Sequence, residues 1–207
     1  MKLYLSSYHI GNSPEKLKEM VGENKRAAII HNALDFATDF ERLEKSKKDE
    51  ANDLKSLGFE PEELDLRNYF GKPNELREKL KGFGLVWVRG GNTFVLRRAM
   101  KESGFDEIIK EYIGKDTLVY AGYSAGVCVV TPTLKGLELV DDPNSIPESY
   151  KNEIIWEGLG LINYSFAPHY KSDHPESAAV SKEVEYFIEN KIPFIALHDG
   201  EVLIENL

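Results

Sequence analysis

Short apolar runs alternate with longer amphipathic stretches along nearly the whole chain, and this alternation constrains the fold more than any other feature. The apolar runs are typical of strands buried on both faces, and the stretches between them are typical of surface helices. Such βα units predict an α/β fold with a mostly parallel sheet. The predicted strands are Leu3–Ser7, Ala27–His31, Glu63–Leu66, Leu85–Arg89, Leu118–Tyr123, Phe166–His169, Phe194–His198 and Val202–Glu205.

The amphipathic stretches carry ordinary helix signals. Apolar residues from Phe40 to Leu57 fall mainly on one helical stripe, and Gly58 is a typical C-terminal stop. The segment 141–147 is rich in turn-forming residues and is predicted to be an exposed loop. Further helix entries are predicted at Ser13-Pro14, Lys72-Pro73 and Pro175-Glu176-Ser177.

Length and composition set limits on the class of protein. A chain of 207 residues suits one domain, so a single domain spanning 1–207 is expected. The formal charge of −9 argues against a nucleic-acid partner, because phosphate binding needs clustered Lys and Arg. Cys128 is the only cysteine, which favours a reducing compartment, and we expect neither a signal peptide nor a membrane span. The predicted location is cytoplasmic.

The sharpest local motif is the run 120–127, in which an apolar strand leads into Gly-x-Ser-x-Gly and then a helix. A serine on such a tight strand-to-helix turn exposes its hydroxyl, and the N–H of Ala125 would face an oxyanion. These observations predict Ser124 as a nucleophile. The alternative is that Gly122 and Gly126 only permit close packing of helix on sheet, with Ser124 as a helix cap.

A second glycine corner follows the strand Leu85–Arg89, where Gly90-Gly91-Asn92-Thr93 enters a helix. In a doubly wound sheet, ligands gather beyond the carboxyl ends of the strands, so the N–H groups of Gly91 and Ala125 could converge on one substrate oxygen. A phosphate-binding turn or a plain helix cap at Asn92 or Thr93 remains the alternative. Neither standard nucleotide-binding glycine motif is present.

A serine nucleophile needs a base, and five histidines compete for that role. His169 ends a short apolar run and is therefore expected at the same sheet edge as Ser124. His9 and His31 have no obvious partner and are interpreted as structural. His174 lies in a polar loop with Asp173, where solvation or weak metal binding is the expectation.

His198 and Asp199 follow the strand that begins at Phe194, and alternation sends their side chains to opposite faces. One of them can reach the active edge, where a carboxylate would orient His169. The chain order Ser, His, Asp differs from that of α/β-hydrolases, which would need Asp141 or Asp142 as the acid. Cys128 is better explained as a small buried residue than as a thiol nucleophile.

Taken together, the motifs resemble the peptidase E (aspartyl dipeptidase) family, serine peptidase family S51. The resemblance implies a three-layer sandwich of the class I glutamine amidotransferase-like (flavodoxin-like) fold. It also implies a catalytic set of Ser124, His169 and Asp199, an oxyanion hole at Gly91 and Ala125, and no metal or organic cofactor. The matching pieces are 90–94, 121–126, 159–163, 168–170 and 197–200.

One departure from the family pattern concerns specificity. Members similar to peptidase E hold the substrate's aspartate with an arginine after the histidine, whereas this chain has no arginine beyond Arg98. Lysine lacks the bidentate fork of arginine, so strict aspartyl preference is not expected to follow from the resemblance. Asn92 and Lys171 are the predicted substrate-binding residues.

The sequence therefore predicts a serine peptidase that hydrolyses short peptides through an acyl-enzyme, with dipeptides bearing N-terminal aspartate as one candidate substrate. The alternatives are a non-catalytic member of the fold that binds a small anion, and an amidase or cyanophycinase-like hydrolase. The expected partner is a small peptide, with no nucleic acid or membrane, and the chain is expected to be a monomer or a homodimer.

Overall fold

The computed structural model describes residues 1–207 and contains eight strands: β1 (Lys2–Ser6), β2 (Arg26–Ile30), β3 (Glu60–Glu63), β4 (Leu85–Val88), β5 (Val119–Tyr123), β6 (Ser165–Ala167), β7 (Phe194–Ala196) and β8 (Val202–Asn206). Six of them form the central sheet in the order β3-β2-β4-β5-β1-β8. All neighbours in it are parallel except β8, which pairs antiparallel to β1. This sheet confirms the predicted α/β class.

Seven α-helices connect the strands: α1 (Pro14–Val21), α2 (Phe40–Ser56), α3 (Pro73–Leu80), α4 (Thr93–Ser103), α5 (Phe105–Ile108), α6 (Ala125–Cys128) and α7 (Ser177–Glu189). Short 3-10 segments lie at Asn32–Leu34, Leu66–Tyr69, Ile109–Tyr112 and Leu137–Leu139. No helix combines the length and the apolar character that crossing a membrane would require.

Strand β4 shows why the sheet is covered on both faces. All four of its residues are buried, and successive side chains of a strand point to opposite faces. Val86 and Val88 join the larger core, which contains residues of α3, α4 and α5, whereas Leu85 and Trp87 join a second core with residues of α1 and α2. The result is the predicted arrangement of helices, sheet and helices in three layers.

The third strand differs from its predicted position, since it spans Glu60–Glu63 rather than Glu63–Leu66. Leu66 instead opens a 3-10 segment that is capped by the Asp65 side chain, which accepts a hydrogen bond from Arg67 N. The Leu66 N–H is taken by Asn32 Oδ1 at 3.0 Å. These capping contacts direct the chain out of the sheet.

The predicted strands near Phe166 and Phe194 do not join the central sheet. They form β6 and β7, which pair only with each other in a two-stranded parallel sheet. Ser7, which follows β1, connects the two sheets, because its Oγ atom contacts His169 N at 2.9 Å and Leu197 O at 3.3 Å. The carboxyl ends of both sheets thus meet at one place.

The segment 141–147 is less free than a plain exposed loop. Arg98, which is 1% exposed, donates hydrogen bonds to the carbonyl oxygens of Pro143 and Ser145. Asp141 Oδ2 accepts a hydrogen bond from Thr93 N at 2.8 Å. These contacts hold the loop against the start of α4, because the carbonyl groups of the turn supply acceptors for a buried guanidinium.

Candidate active site

Ser124 forms the sharp corner between β5 and α6. Its backbone has φ 49° and ψ −118°, a conformation that costs a non-glycine residue about 1–3 kcal/mol. A Cβ atom on Gly122 or Gly126 would lie 2.5 or 2.2 Å from Val88 O, so both glycines also permit close packing. Ser124 is therefore strained, as a nucleophile at a sharp turn would be. Gly122 and Gly126 also permit close packing of the helix on the sheet, which was the alternative interpretation of the motif.

The second glycine corner touches the first. A Cβ atom on Gly90 would lie 2.9 Å from Ser124 Cβ, so no larger residue fits between them. Gly91 has φ 144°, and its N–H has no hydrogen-bond acceptor within the chain. Because α6 is a single turn, any donor that it offers at Ala125 is an individual N–H group rather than the end of a long helix.

Both corners lie on the wall of an open cleft of about 280 Å³. The cleft is lined on one side by Ser124 and the glycine corner, and on the other by His169 and its neighbours. The lining residues are Tyr8, His9, Leu34, Arg42, Arg89, Gly90, Gly91, Tyr123, Ser124, His169, His174 and Glu176. The cleft has room for a small substrate at the carboxyl ends of the strands, as predicted for this class of fold.

His169 is held by a carboxylate. Its Nδ1 atom lies 2.6 Å from Asp199 Oδ1, and the residue is only 1% exposed. A hydrogen bond from Nδ1–H to the carboxylate leaves the lone pair of Nε2 free to accept a proton. His198, the neighbouring candidate, is exposed, so alternation along the chain brings Asp199 rather than His198 to the site.

Ser7 is a residue of the site that sequence reasoning missed. Its fully buried hydroxyl accepts a hydrogen bond from His169 N at 2.9 Å and donates one to Asp199 Oδ1 at 3.0 Å. Ser172 adds a third support, because its Oγ accepts a hydrogen bond from Asp199 N at 2.8 Å. The only sequence sign of Ser7 was its place at the carboxyl end of a strand.

If His169 and Asp199 are the predicted base and acid, Ser7→Ala is expected to lower kcat about 10- to 100-fold with little change in KM, because the variant loosens the placement of both residues. Steady-state kinetics checks this, with Ser13→Ala as a control at a site far from the histidine. Ser7→Thr, which restores the hydroxyl, is expected to recover part of the rate. Equal kcat values for Ser7→Ala and the unaltered protein would contradict a positioning role.

The environment of His169 favours the neutral ring. Burial lowers the pKa of His169, and the hydrogen bond to Asp199 only partly opposes this effect. His174 stacks on the ring with centroids 3.7 Å apart and planes 7° apart, and its proximity lowers the pKa of His169 further. A neutral imidazole at pH 7 is the form that can accept a proton.

The lowered pKa of His169 predicts how kcat/KM falls at acidic pH. If neutral His169 is the base, kcat/KM is fully present above the pKa of His169 and is lost as pH falls through it. The midpoint is therefore expected below pH 6.5, the ordinary histidine value. The rate of labelling by a neutral fluorophosphonate measures it without interference from substrate groups, and a midpoint above pH 7 would contradict the assignment.

Ser124 and His169 face the same cleft but make no hydrogen bond to each other. The ring of His169 is hydrogen-bonded to Asp199, and its Nε2 atom lies 4.0 Å from Glu176 Oε2. Catalytic hydrogen bonds are often long or absent in unliganded enzymes and form when substrate binds. A contact between Ser124 Oγ and Nε2 therefore requires a rotation or shift within the cleft.

Two arginines on the cleft wall were not anticipated. Arg89 Nη1 lies 3.1 Å from the buried Glu50 Oε2, while Arg42 forms no ion pair and is exposed. Both line the cleft that contains Ser124 and also a neighbouring cavity of about 310 Å³ beside α2. Arg89 could have been found from its place at the end of a strand, but Arg42 lies in a helix with no sequence sign of such a role.

The two predicted substrate-binding residues lie outside the cleft. Asn92 caps α4 with its Oδ1, which accepts hydrogen bonds from Phe94 N and Val95 N, and its Nδ2 donates to Asp142 O. Both lone pairs of its Oδ1 and one of its two Nδ2 donors are thus used within the protein. Lys171 is exposed, and its Nζ atom lies 5.1 Å from the ring centre of Tyr170.

The remaining histidines have distinct surroundings. His9 lines the cleft and stacks on Tyr123, whereas His31 is buried between Glu50 and Glu63.

The ligand atoms of His169, His174 and Glu176 lie within 4.8 Å of one another, a group that could hold a metal ion. A metal there would occupy the imidazole that the carboxylate orients.

Cys128 has the structural surroundings predicted for it. The residue is buried, and burial raises the pKa of its thiol well above the ordinary value. A thiol in such an environment stays protonated and is a poor nucleophile.

Serine hydrolases typically have an α/β sheet with a serine and a histidine in one cleft at the edge of the sheet. This chain has the same arrangement. The model of peptidase family S51 matches residues 9–206, so the chain belongs to peptidase family S51. This result confirms the predicted resemblance and, with it, the predicted class of enzyme, a serine-type peptidase.

Individual relatives agree with this family. The chain is 30% identical over 147 residues to an uncharacterized peptidase, Lmo0363, of Listeria monocytogenes, which covers 71% of this chain and 68% of that protein. It is 29% identical over 152 residues to a probable alpha-aspartyl dipeptidase of Drosophila melanogaster, covering 71% of this chain and 58% of that protein.

A crystal structure of a candidate peptidase E protein from Listeria monocytogenes EGD-e has the same fold. It superposes with a TM-score of 0.72 at 24% identity, covering 100% of this chain and 98% of that one. This match confirms the predicted fold class.

Proposed function

We propose that this peptidase hydrolyses short peptides through an acyl-enzyme, with Ser124 as nucleophile, His169 as base and Asp199 as the group that orients the histidine. The observation that carries the proposal is the 2.6 Å contact between His169 and Asp199 in the cleft that also contains Ser124. The N–H groups of Gly91 and Ala125 are the proposed oxyanion donors.

The proposed chemistry has two halves. Ser124 Oγ attacks the peptide carbonyl and gives its proton to His169 Nε2, while the carbonyl oxygen takes up negative charge at the two backbone donors. The histidine then returns the proton to the leaving amine as the C–N bond breaks. A water molecule then attacks the acyl-enzyme in the same way, with His169 taking its proton and returning it to Ser124 Oγ. This step releases the carboxylic acid product, so atoms and charge balance without a cofactor.

The proposed substrate is a short peptide that carries a carboxylate. Arg42 and Arg89 line the cleft, and guanidinium groups bind carboxylates through paired hydrogen bonds. They offer a partner for an aspartate side chain or for the C-terminal carboxylate of a dipeptide, in place of the arginine missing after His169. A relative named as a probable alpha-aspartyl dipeptidase makes peptides with N-terminal aspartate one class to test.

Arg42→Ala is expected to raise KM about 10-fold for a dipeptide while leaving kcat within a small factor, because an exposed guanidinium contributes binding rather than chemistry. Lys45→Ala, which removes an equal charge from the exposed surface of the same helix, is the matched control. Kinetics with Asp-Phe and with Asp-Phe amide shows which carboxylate is bound. An unchanged KM for both peptides would contradict a role for Arg42.

A neutral fluorophosphonate and a panel of peptides together test the proposed function. The proposal predicts covalent labelling of the protein and release of amino acids from dipeptides. A protein that takes no label and cleaves nothing would instead be the small-anion-binding member considered above. Faster cleavage of simple amides or of aspartyl-rich polymers would indicate an amidase or a cyanophycinase-like hydrolase.

We further propose a location and an assembly state for this peptidase. A cytoplasmic location fits the single cysteine, which makes no disulfide. A monomer or a homodimer is the proposed assembly, and light scattering distinguishes the two.

A further inference from the structure

The cavity beside α2, called the α2 cavity below, adjoins the cleft that contains Ser124. Its volume of about 310 Å³ is similar to that of the cleft, and Leu34, Arg42 and Arg89 line both spaces. A ligand whose reacting group lies at Ser124 can therefore extend past these three side chains into the α2 cavity.

The walls of the α2 cavity combine two kinds of surface. Three aliphatic side chains form an apolar part: Leu34, Ala37 and Leu43. The guanidinium groups of Arg42 and Arg89 form a cationic part. Asp39 also lines the cavity, but its Oδ1 accepts the hydrogen bond from Arg42 N that caps α2. A cavity with these walls fits a ligand that carries both an apolar group and a carboxylate.

Arg89 has hydrogen-bond donors that the protein leaves unused. Its Nε and Nη1 atoms are buried and have no aligned hydrogen-bond partner, although Nη1 lies 3.1 Å from Glu50 Oε2. Buried donors are almost always satisfied, so unused donors on a side chain that lines a cavity point to a bound acceptor. A carboxylate is the acceptor that fits, because guanidinium groups bind it through paired, charge-assisted hydrogen bonds.

Glu50 fixes the position of Arg89 from behind the α2 cavity. It lies on α2, is 4% exposed and accepts a hydrogen bond from Trp87 Nε1 at 2.7 Å. Burial raises the pKa of this carboxyl, but His31, Arg89 and Trp87 together hold the pKa below its ordinary value. Glu50 therefore stays ionised and keeps the guanidinium beside it, since separating the two would leave a buried charge without a partner.

We propose that the α2 cavity is the subsite for the C-terminal residue of the substrate, whose carboxylate binds Arg42 and Arg89 and whose side chain packs on the apolar wall. In a dipeptide this residue leaves as the amine, and it carries a free carboxylate and a side chain next to each other. The residue that Ser124 attacks has no free main-chain carboxylate, because its carbonyl is the reacting group. The inference deepens the proposed function and rests on it. Dipeptides with a large apolar C-terminal residue are the substrate class that it selects.

A variant that fills the α2 cavity tests the side-chain part of the subsite. Ser46 lines this cavity but not the cleft, so Ser46→Trp narrows the cavity without touching Ser124 or His169. We expect KM for Ala-Phe to rise about 10-fold and KM for Ala-Gly to change by less than about twofold, because only phenylalanine needs the apolar wall. Lys48→Trp, on the exposed surface of the same helix, is the matched control and should change neither value.

Ala-Phe and Ala-Phe amide test the carboxylate part. We expect kcat/KM for the acid to exceed that for the amide about 10- to 100-fold, because the amide cannot form the charged pair with a guanidinium group. Glu50→Gln, which frees Arg89 from its partner, is expected to lower this preference. Trp87→Phe removes the other hydrogen bond of Glu50, keeps the contact with Arg89 and should keep the preference.

Three results would overturn the inference: equal kcat/KM for Ala-Phe and its amide, a Ser46→Trp protein that treats Ala-Phe and Ala-Gly as the unaltered protein does, or a loss in Ser46→Trp that falls on Asp-Gly instead. The last result would assign the cavity to an aspartate side chain. The first two comparisons need no change at Glu50, so the inference stays testable even if Glu50→Gln does not fold.

Calorimetric binding to the Ser124→Ala variant separates this inference from the proposed hydrolysis. Tighter binding of Ala-Phe than of Ala-Phe amide supports the subsite even if the unaltered enzyme cleaves nothing. Hydrolysis of both peptides without any preference would instead remove the subsite and leave the proposed function standing.

Discussion

Ser124→Ala is expected to lower kcat for dipeptide hydrolysis by at least about 10,000-fold, because Ser124 is the proposed nucleophile and the variant cannot form its acyl-enzyme. The variant should fold normally, since alanine removes only one oxygen from a half-buried site whose backbone already has a positive φ. Substrate binding should persist. The measurement is steady-state kinetics on purified protein, with calorimetry to show that the peptide still binds.

Ser6 offers a comparison for this substitution. It lies on β1 near the site, is fully buried and donates a hydrogen bond to Tyr8 O rather than to the histidine or its carboxylate. Ser6→Ala is expected to leave hydrolysis within a small factor. Hydrolysis by Ser124→Ala at the rate of the unaltered protein would remove the nucleophile assignment.

Asp199→Asn is expected to have the second largest effect, a loss of about 1,000- to 10,000-fold in kcat. An amide at this position can donate a hydrogen bond to His169 Nδ1, which turns the ring into the tautomer that cannot accept a proton at Nε2. It also removes the negative charge that stabilises the protonated histidine. The pH profile adds a second readout, because the pKa of His169 should fall further without the carboxylate.

Asp173→Asn provides the matched control for Asp199→Asn. Asp173 lies in the exposed loop after His169 and makes no hydrogen bond to the ring. Its substitution should leave both kcat and the acid limb unchanged. If Asp199→Asn were equally active, the 2.6 Å contact would have only a structural role.

The alternation of apolar runs was enough to predict the α/β class, because buried parallel strands leave a pattern that few other structures produce. The predicted position of β3 was wrong by three residues. Its end is decided by Asn32 and Asp65, which accept hydrogen bonds from Leu66 N and Arg67 N, and neither contact is visible in the apolar run. Separation of β6 and β7 from the main sheet could not be predicted either. Sequence periodicity identifies a strand but not its neighbour.

For the site, residues at strand ends were predictable and side chains from helices were not. Ser124, His169 and Asp199 each follow a strand, and parallel strands bring such positions to one edge. Arg42 lies within α2, where one basic residue on the exposed surface of an amphipathic helix gives no sign that it lines a cleft. The sequence also could not decide the role of Asn92, which was predicted to bind substrate. A residue that follows a glycine corner can instead cap the next helix, as Asn92 does at α4.

The joint action of Ser124 and His169 is tested by the structure of the adduct formed with a neutral fluorophosphonate. We expect a bond from phosphorus to Ser124 Oγ, a phosphonyl oxygen at the N–H groups of Gly91 and Ala125, and His169 Nε2 within hydrogen-bond distance of the adduct. Attachment at any other residue, or an adduct in which His169 stays remote from the phosphonyl group, would contradict it.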